Sequence, residues 1–590
     1  MIFLKAKSYK LKASPGFSLI EIIITFTIFL ILAGGIYFSY ANMLEVISHT
    51  RTRTLAITLL NKQIEYIRNL KFDDVGIVGG YPVGLIPATQ TLAYEGQQFS
   101  IAAFVRNIDD PFDGKTGSSP NDTAPADYRL VELQATCPTC YNFAPVSITT
   151  LAAPQNLESS TKNGSLFIRV FDANGQMINN ADVLVKNTSV SPNITINDAT
   201  GNDGYLRLID IPTSTSAYQV TVSKTGYSSS KTYLPGDSAN PNPSQPHATV
   251  ASQQVSGLSF SIDRLSEIDV RTQDQYCSAV PSVDFSQKGA KLIGIGPNVL
   301  KYNKTFSTDS SGLAYRTGLE WDTYSFVGSD TGFDVAGSNP LVPLSINPNT
   351  TTSLKFLMEP VSTSSLLVTV TGTDGLPVAN ANASIVKSGF SESKNTGEKS
   401  MTKTNWQGTS YTSQDGNVET EAVAGQLTLT GGGVYPTSTN SYLISETLDF
   451  GTASISYNSL TWSPASSPSN TTIKFQLASS NNSTGPFSFT GPDGTSSSYY
   501  AVSSTLPTTY NNKQYLQYKV FLNTTDESVT PTLNDLTIYF SSSCIPTGQV
   551  FFSGIPSGTY ALTVSKAGYN TATSSVSVGT GWQEVKVVMQ

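Results

Sequence analysis

Histidine is nearly absent from this chain of 590 residues, with one copy at His49 and one at His247. The zinc-protease pattern His-Glu-x-x-His therefore cannot occur, and a histidine-based catalytic triad would have to use one of these two side chains. His49 falls in a predicted N-terminal helix and His247 in a proline-rich linker. We expect both side chains to be exposed to solvent and to take no part in catalysis.

Charge is scarce as well. Asp, Glu, Lys and Arg make up 13% of the residues, about half the share found in ordinary soluble domains. Ser, Thr, Asn and Gly take their place, together with 28 Tyr and 27 Phe, and this composition favours extracellular β-structure. The net charge of −8 argues against nucleic acid as a partner, because phosphate binding needs a cationic face. The length predicts roughly four domains.

A basic leader precedes a long apolar segment near the N-terminus. The only charges of the leader are those of Lys5, Lys7, Lys10 and Lys12. Residues 22–44 carry no charge, and as a helix they are long enough to cross the roughly 30 Å hydrocarbon core of a membrane. Because the lysines come first, we expect the leader to stay in the cytoplasm and the rest to be exported. An ordinary signal peptide has its small-residue cleavage site after the apolar region, whereas the Gly16-Phe17 junction precedes it.

The segment around Gly16, Phe17 and Glu21 resembles the class III signal of type IV prepilins and pseudopilins. The resemblance implies that a prepilin peptidase removes residues 1–16 by cutting after Gly16, and that the new N-terminal amine of Phe17 is methylated. Glu21 matches the acidic fifth residue of the mature chain in that family. Its carboxylate can neutralise the ammonium of an adjacent subunit inside a low-dielectric filament core. A plain uncleaved anchor, the alternative, leaves Glu21 unexplained.

Residues 17–74 are predicted to form one transmembrane and assembly helix. Beyond the membrane its apolar face is kept by Ala56, Leu60, Ile64 and Ile67. Residues 75–160 are predicted to form a pilin-like α+β head with strands at 98–107, 128–135 and 146–151. The lower half of the helix would then pack beside other subunits, and the upper half against the sheet of the head.

Two features of the head are candidate sites. Cys137 and Cys140 lie four residues apart in a turn, without a second Cys-x-x-Cys or a nearby histidine to complete a metal site. In an exported protein a structural disulfide is the leading interpretation, and free or differently paired thiols are the alternative.

The second feature is an acidic loop that contains five carboxylates within 19 residues, ending at Asp127. Such loops bind Ca²⁺ through hard oxygen ligands, although this spacing is not that of an EF-hand. The candidate ligands are Asp109, Asp110, Asp113 and Asp122, and no other cofactor is expected. The alternative is a solvated turn, because Asp, Pro and Gly are ordinary turn formers.

The remainder of the chain repeats itself. Residues 165–175 align with 365–375, residues 204–212 with 548–556, and Val-Thr-Val-Ser-Lys-Thr-Gly-Tyr at 220–227 with Leu-Thr-Val-Ser-Lys-Ala-Gly-Tyr at 562–569. A diverged middle copy contains residues 312–324. The copies resemble carboxypeptidase regulatory-like domains, which are Ig-like β-sandwiches common on bacterial surface proteins and imply no peptidase activity. The sequence therefore predicts sandwiches at 161–262, at 263–362, and at 363–410 together with 544–590. Cys277 and Cys544 either pair at a domain junction or have separate roles.

Residues 411–543 are predicted to be a domain inserted into the third sandwich. Their strand rhythm resembles jelly-roll, galactose-binding-like modules. Trp462 or the pair Tyr499 and Tyr500 could stack on a sugar while Asp493 accepts its hydroxyls, but core packing for Trp462 and a turn at Asp493 are the stronger interpretation.

The predicted fold is mainly β, with one long N-terminal α-helix, a pilin-like head, Ig-like sandwiches and a jelly-roll-like insert. The predicted function is a non-enzymatic large minor pilin that displays sandwich modules for adhesion or ligand binding. Its expected partners are other pilin subunits, the prepilin peptidase, the inner membrane before assembly, and a surface glycan or protein ligand. A pseudopilin of a type II secretion or DNA-uptake system is an alternative. So is a surface glycan-active enzyme that uses carboxylates such as Asp449 and Asp493.

Overall fold

The computed structural model describes residues 19–140, 142–154, 161–329, 332–437 and 440–590. These residues form two compact units. The first contains the N-terminal helix and the chain up to Ile262, apart from residues 225–228. The second contains those four residues and the chain from Asp263 to Gln590. Apart from the one long helix, the regular structure of both units is mainly β-sheet.

Helix α1 spans Leu19–Arg68 and has 50 residues, which gives a length of about 75 Å. It ends at Arg68 rather than at residue 74, because the last turn tightens there. The amide of Leu70 donates to the carbonyl of Ile67 at 3.0 Å, and the side chain of Asn69 bonds to the carbonyl of Glu65 at 2.8 Å. A short 3₁₀ turn, Phe72–Asp74, then leads into the head.

The head is a four-stranded antiparallel meander. Its strands are β1 (Thr89–Tyr94), β2 (Gln97–Ile108), β3 (Tyr128–Thr136) and β4 (Val146–Ala152). The turn between β1 and β2 has positive φ at both Glu95 and Gly96, which matches the twist of a two-residue hairpin. Alternate residues of β2 and β3 point inward, and the predicted apolar face of α1 is confirmed, since its four residues are buried against them.

The first unit continues into a two-sheet sandwich. Its strands are β5 (Gly164–Phe171), β6 (Asp182–Asn187), β7 (Ile194–Ala199), β8 (Tyr205–Ile211), β9 (Ser214–Ser223), β10 (Ser230–Lys231), β11 (Ala248–Val250) and β12 (Val255–Ser261). One sheet has the order β12-β5-β8, and the other has the order β10-β9-β6-β7 with β11 beside β9.

The second unit opens with another sandwich. Its strands are β13 (Ser266–Gln273), β14 (Asp284–Gly289), β15 (Leu292–Gly294), β16 (Val299–Leu300), β17 (Asn303–Ser307), β18 (Leu313–Leu319), β19 (Asp322–Gly328), β20 (Phe333–Asn339), β21 (Leu344–Ile346) and β22 (Thr351–Pro360). The two sheets have the orders β18-β13-β22-β20 and β17-β14-β19-β21, and β15 and β16 form a small hairpin.

The rest of the second unit is one sandwich interrupted by another. It begins with β23 (Ser364–Gly372), β24 (Asn382–Lys387) and β25 (Phe390–Asn395). The interrupting segment has β26 (Lys399–Lys403), β27 (Tyr411–Gln414), β28 (Val418–Glu419), β29 (Thr428–Leu429), β30 (Ser441–Ser445), β31 (Leu448–Asp449), β32 (Ile455–Ser463), β33 (Thr471–Ser480), β34 (Ser504–Thr505), β35 (Tyr515–Thr524) and β36 (Asp535–Ser542), with a 3₁₀ turn at Thr508–Tyr510. The chain then returns with β37 (Gln549–Ser553), β38 (Gly558–Ser565), β39 (Ala572–Val578) and β40 (Gly581–Met589).

The three repeated sandwiches share the strand order around their first strand. In each copy the first strand lies parallel to the last, in the pairs β5 with β12, β13 with β22, and β23 with β40. On its other side the first strand pairs antiparallel with β8, β18 or β37 respectively. Each copy also has one fully buried tyrosine whose hydroxyl donates to a carbonyl a few residues upstream, at Tyr218, Tyr324 and Tyr560. This contact fixes the loop before the strand that carries the tyrosine.

The interruption begins earlier than the sequence predicts. The sequence assigns residues 363–410 to the third sandwich, but β26 pairs with β36 of the interrupting segment. Trp406 is buried in the core of that segment, where its indole N–H donates to the hydroxyl of Tyr518 at 2.9 Å. The first clear strand signals of the segment lie near residue 442, so the pairing of the short polar strand β26 could not be seen in the sequence.

The two ends of the interruption lie side by side. The amide of Gly397 donates to the carbonyl of Gln549 at 2.9 Å, and Thr547 lies next to Gly397. Strand β23 needs both β37 and β40 as sheet neighbours, so the third sandwich is complete only when the chain returns.

We expect residues 399–546 to be removable from the full chain. Joining the ends with about three Gly or Ser residues, and replacing Cys277 with Ser, should leave the third sandwich folded, because the gap is short. Circular dichroism and limited proteolysis measure the result. As the comparison, truncation after residue 543 removes β37–β40 and should expose the apolar residues of β23 to protease. A stable truncation, or an unfolded joined chain, would contradict this account.

Candidate functional site

The lower half of α1 presents an apolar surface to its surroundings. Among the described residues, it belongs to the one helix that is long and apolar enough to cross a membrane. Large side chains are exposed all round it, including Ile24, Phe29, Ile36, Phe38 and Leu44. A surface of this size is not stable in water and requires lipid or other apolar helices around it.

Two threonine hydroxyls of α1, at Thr27 and Thr50, are satisfied within the helix itself. The hydroxyl of Thr27 donates to the carbonyl of Ile23 at 2.7 Å, and Thr50 bonds in the same way to Val46 at 2.8 Å. Such bonds let hydroxyls sit in an apolar medium without water. Gly16 and Phe17 lie outside the described residues. Glu21 lies on α1, and its side chain is likewise outside the described part.

The upper half of α1 is attached firmly to the head. The guanidinium of Arg129, on β3, donates to the carbonyls of Phe72 at 2.7 Å and Val75 at 3.0 Å, and it lies 4.6 Å from the centre of the Phe72 ring. Arg68 bonds from the last turn of the helix to the hydroxyl of Thr150 on β4 at 3.2 Å. Together with the apolar core, these contacts make the helix and the head one body.

The head is in turn joined to the first sandwich by an ion pair. Arg106 on β2 donates two hydrogen bonds to the carboxylate of Asp198 on β7. The Asp198 side chain is only 6% exposed, so this charge depends on its partner. The bond to Asp198 raises the pKa of Arg106. Beside this pair, the side-chain amide of Asn107 donates to the backbone carbonyl of Ile209 at 3.0 Å.

All four cysteines form disulfides. Cys137 and Cys140 close the connection between β3 and β4, with their Cα atoms 5.3 Å apart. Cys277 and Cys544, which are 267 residues apart in sequence, join the second sandwich to the segment where the chain returns to the third. Gln273 also donates to the carbonyl of Cys544, at 3.4 Å.

Replacing Cys277 and Cys544 with Ser should destabilise the second unit. In the chain-entropy model a loop of this length contributes about 5.6 kcal/mol, against about 2 kcal/mol for the short Cys137–Cys140 loop. All four tryptophans lie between residues 321 and 582, so denaturant unfolding followed by tryptophan fluorescence reports on this unit alone. A chain with Ser at Cys137 and Cys140 is the control for general effects of removing a disulfide. An unchanged midpoint for the Cys277 and Cys544 double variant would contradict the expectation.

A cavity of about 820 Å³ lies within the second unit, lined by residues of the second sandwich, the third sandwich and the interrupting segment. Lys399 pairs with Glu359 in its wall, and burial lowers the pKa of Lys399 although the charge of Glu359 opposes this. The carboxylate of Glu398 accepts hydrogen bonds from the side-chain amides of Asn395 at 2.9 Å and Asn458 at 2.6 Å. The polar side chains of the wall thus pair and hydrogen-bond with one another, which indicates a polar junction between the modules.

The sugar-stacking candidates of the interrupting segment are mostly core residues. Trp462 is buried, and its ring centre lies 4.7 Å from that of Phe475. Tyr500 is buried too, whereas Tyr499 is partly exposed. Asp493 accepts from Thr495 and Ser498 in a turn, in line with the stronger interpretation of its sequence. Asp449 accepts hydrogen bonds from the backbone amide of Gly451 and the side-chain amide of Gln514.

The acidic loop between β2 and β3 brings together three carboxylates. They belong to Asp109, Asp122 and Asp127. The first two are among the predicted ligands. Asp110 is not in the cluster, because it accepts from the amide of Phe112 and the hydroxyl of Tyr128, and Asp113 is exposed to solvent. Asp127 is not among the predicted ligands, and it joins the cluster because the far end of the loop folds back beside Asp109.

A match to a family model covers the N-terminal segment. Residues 11–37 match the model described as the prokaryotic N-terminal methylation motif. The chain carries the class III signal of type IV prepilins. The motif covers Gly16, Phe17 and Glu21 and runs into the exposed apolar part of α1. No curated protein matches the chain.

Several solved structures are similar to the chain at low identity. They include the Bacillus anthracis TIE protein (11% identity, 85% of this chain, 73% of that chain, TM-score 0.16). They also include a streptococcal ancillary pilin (11%, 38% and 75%, TM-score 0.17) and the minor pilin of Streptococcus agalactiae (12%, 34% and 96%, TM-score 0.17). With TM-scores so far below 0.5, nothing about this chain follows from them.

Proposed function

We propose that this chain is a large minor pilin of a type IV pilus-like filament. The observation that carries the proposal is the continuity of three parts: the methylation motif, an apolar helix exposed along its lower half, and a head that grips the upper half. The exposed apolar surface suits a membrane before assembly and neighbouring pilin helices afterwards. We therefore place the chain in the inner membrane first and on the outside of the cell after assembly.

The size of the chain supports a minor rather than a major subunit. More than four hundred residues follow the head, and they would crowd every repeat of a densely packed filament. The three sandwiches and the interrupting segment are the display part, which binds a surface glycan or a protein. The disulfide between Cys277 and Cys544 limits how far the second sandwich can separate from the interrupting segment. The proposal assigns no catalytic reaction to the chain.

Gly16→Val should block processing. A β-branched side chain before the cut obstructs the peptidase, so the leader of residues 1–16 should stay attached. Mass spectrometry of protein from the producing cell should show a methylated Phe17 in the unchanged chain and an intact leader in the variant. Ser14→Val, which places the same side chain two residues earlier, is the control. An unprocessed N-terminus in assembled material from the unchanged chain would remove the pilin assignment.

Glu21→Ala should insert into the membrane and yet enter filaments poorly. The reason is that the ammonium of Phe17 on the neighbouring subunit loses the carboxylate that neutralises it. Incorporation is measured by immunoblotting of sheared filaments against the membrane fraction. Glu45→Ala is the matched control, because Glu45 lies on the same helix beyond the apolar segment, 3.6 Å from His49. Normal incorporation of the Glu21 variant would show that the electrostatic account is wrong. Absence of the unchanged chain from sheared filaments would favour a pseudopilin.

A further inference from the structure

The acidic loop, residues 109–127, closes on itself where β2 ends and β3 begins. One carboxylate oxygen from each of Asp109, Asp122 and Asp127 lies within 4.8 Å of one from each of the others. Asp122 and Asp127 are only 7% and 6% exposed. Three carboxylates at this separation repel one another, and burial makes the repulsion stronger than it would be in water.

Backbone amides hold each of these carboxylates through one oxygen. Oδ1 of Asp122 accepts from the amide of Ala124 at 2.8 Å, and Oδ2 of Asp109 accepts from the amide of Thr116 at 2.9 Å. Oδ2 of Asp127 accepts from the amide of Asp110. The loop therefore fixes the orientation of all three groups before any ligand arrives.

The second oxygens of two of these groups are suited to a cation. Oδ2 of Asp122 and Oδ1 of Asp109 are buried and accept no hydrogen bond from any described residue. A buried carboxylate oxygen without a donor is rare in folded proteins, because its charge has lost the solvation by water. A bound cation compensates for that lost solvation.

We propose that Asp109, Asp122 and Asp127 bind one Ca²⁺ ion. All three ligands are hard oxygens, and Ca²⁺ coordinates such ligands at about 2.4 Å, so two oxygens on opposite sides of the ion lie about 4.8 Å apart. The cluster falls within that limit. Ca²⁺ takes six to eight oxygens in flexible geometry, so water and backbone carbonyls complete the shell.

The ion would stiffen the junction between the head and the first sandwich. The carbonyl of Thr123, next to Asp122, accepts from the amide of Thr161, where the chain enters that sandwich. Gly117 of the loop packs against Val255 on β12. The loop thus contacts both the segment that leads into the first strand of the sandwich and the start of its last strand. Ca²⁺ bound in the loop would hold the head and the base of the display part together. This inference concerns the junction and holds whichever filament carries the chain.

Trypsin cleavage after Lys115 measures the clamp in the full-length protein in detergent. Lys115 is exposed within the loop while Thr116, on the other side of the bond, is buried, so cutting requires the loop to open. After chelation, Ca²⁺ at about ten times its Kd should slow this cut about tenfold, because binding to the closed loop opposes opening. Calorimetry with CaCl₂ should give about one ion per chain.

Asp122→Asn should abolish both the protection and the binding, since it removes the charge but keeps an oxygen to accept from Ala124. Asp113→Asn, in the same loop but outside the cluster, should behave like the unchanged chain. The unchanged chain alone also decides the question: no calorimetric binding and no protection by Ca²⁺ would overturn the proposal even if the Asp122 variant failed to fold. Equal protection by MgCl₂ at the same concentration would overturn the assignment to Ca²⁺.

Discussion

One helix has to satisfy two different surroundings, and the architecture of the first unit follows from this constraint. The upper half of α1 buries its apolar face against the sheet of the head, whereas the lower half exposes apolar side chains on every side. Burial of the upper face makes the helix and head rigid together, so whatever surrounds the lower half also sets the position of the head. The lower half of α1 and the head are thereby coupled through continuous backbone, and Arg129 holds the chain at the point where the helix ends.

Beyond the head, the recurring constraint is closure of a sandwich by its last strand. The first and last strands of each copy are parallel neighbours, so no copy is complete until its whole sequence is present. This topology brings distant residues together and leaves the connecting loops at the ends of the sheets. An extra module can therefore enter the loop after β25 without breaking the pairing of β23 with β40. The disulfide from Cys277 to Cys544 adds a covalent link at the point where the chain returns.

Features marked by a local pattern or by an internal repeat could be predicted from the sequence, whereas strands that are recognisable only through a distant partner could not. The methylation motif, the apolar face of α1 and the mainly β fold all rest on local patterns, and the structure and the family match confirm them. The predicted start of the interrupting segment is wrong because β26 is recognisable only through its partner β36. The calcium ligands stay a prediction, and the carboxylates that the structure brings together differ from the predicted set in two ways. Asp110 is taken up by Tyr128, while Asp127, at the far end of the loop, folds back to complete the group.

In a chain with so few charged residues, the pairing of each buried charge is informative. With 13% charged residues, the chain has few ion pairs to spare, yet Asp198 is matched by Arg106 and Lys399 by Glu359. A buried charge without a partner is costly, and the protein avoids that cost at both of these junctions. The acidic loop departs from the pattern, since Asp109 and Asp122 each keep a buried oxygen with no donor among the described residues. A loop that orients three carboxylates with backbone amides, and leaves one buried oxygen of Asp109 and one of Asp122 without a donor, is arranged for a cation to complete it.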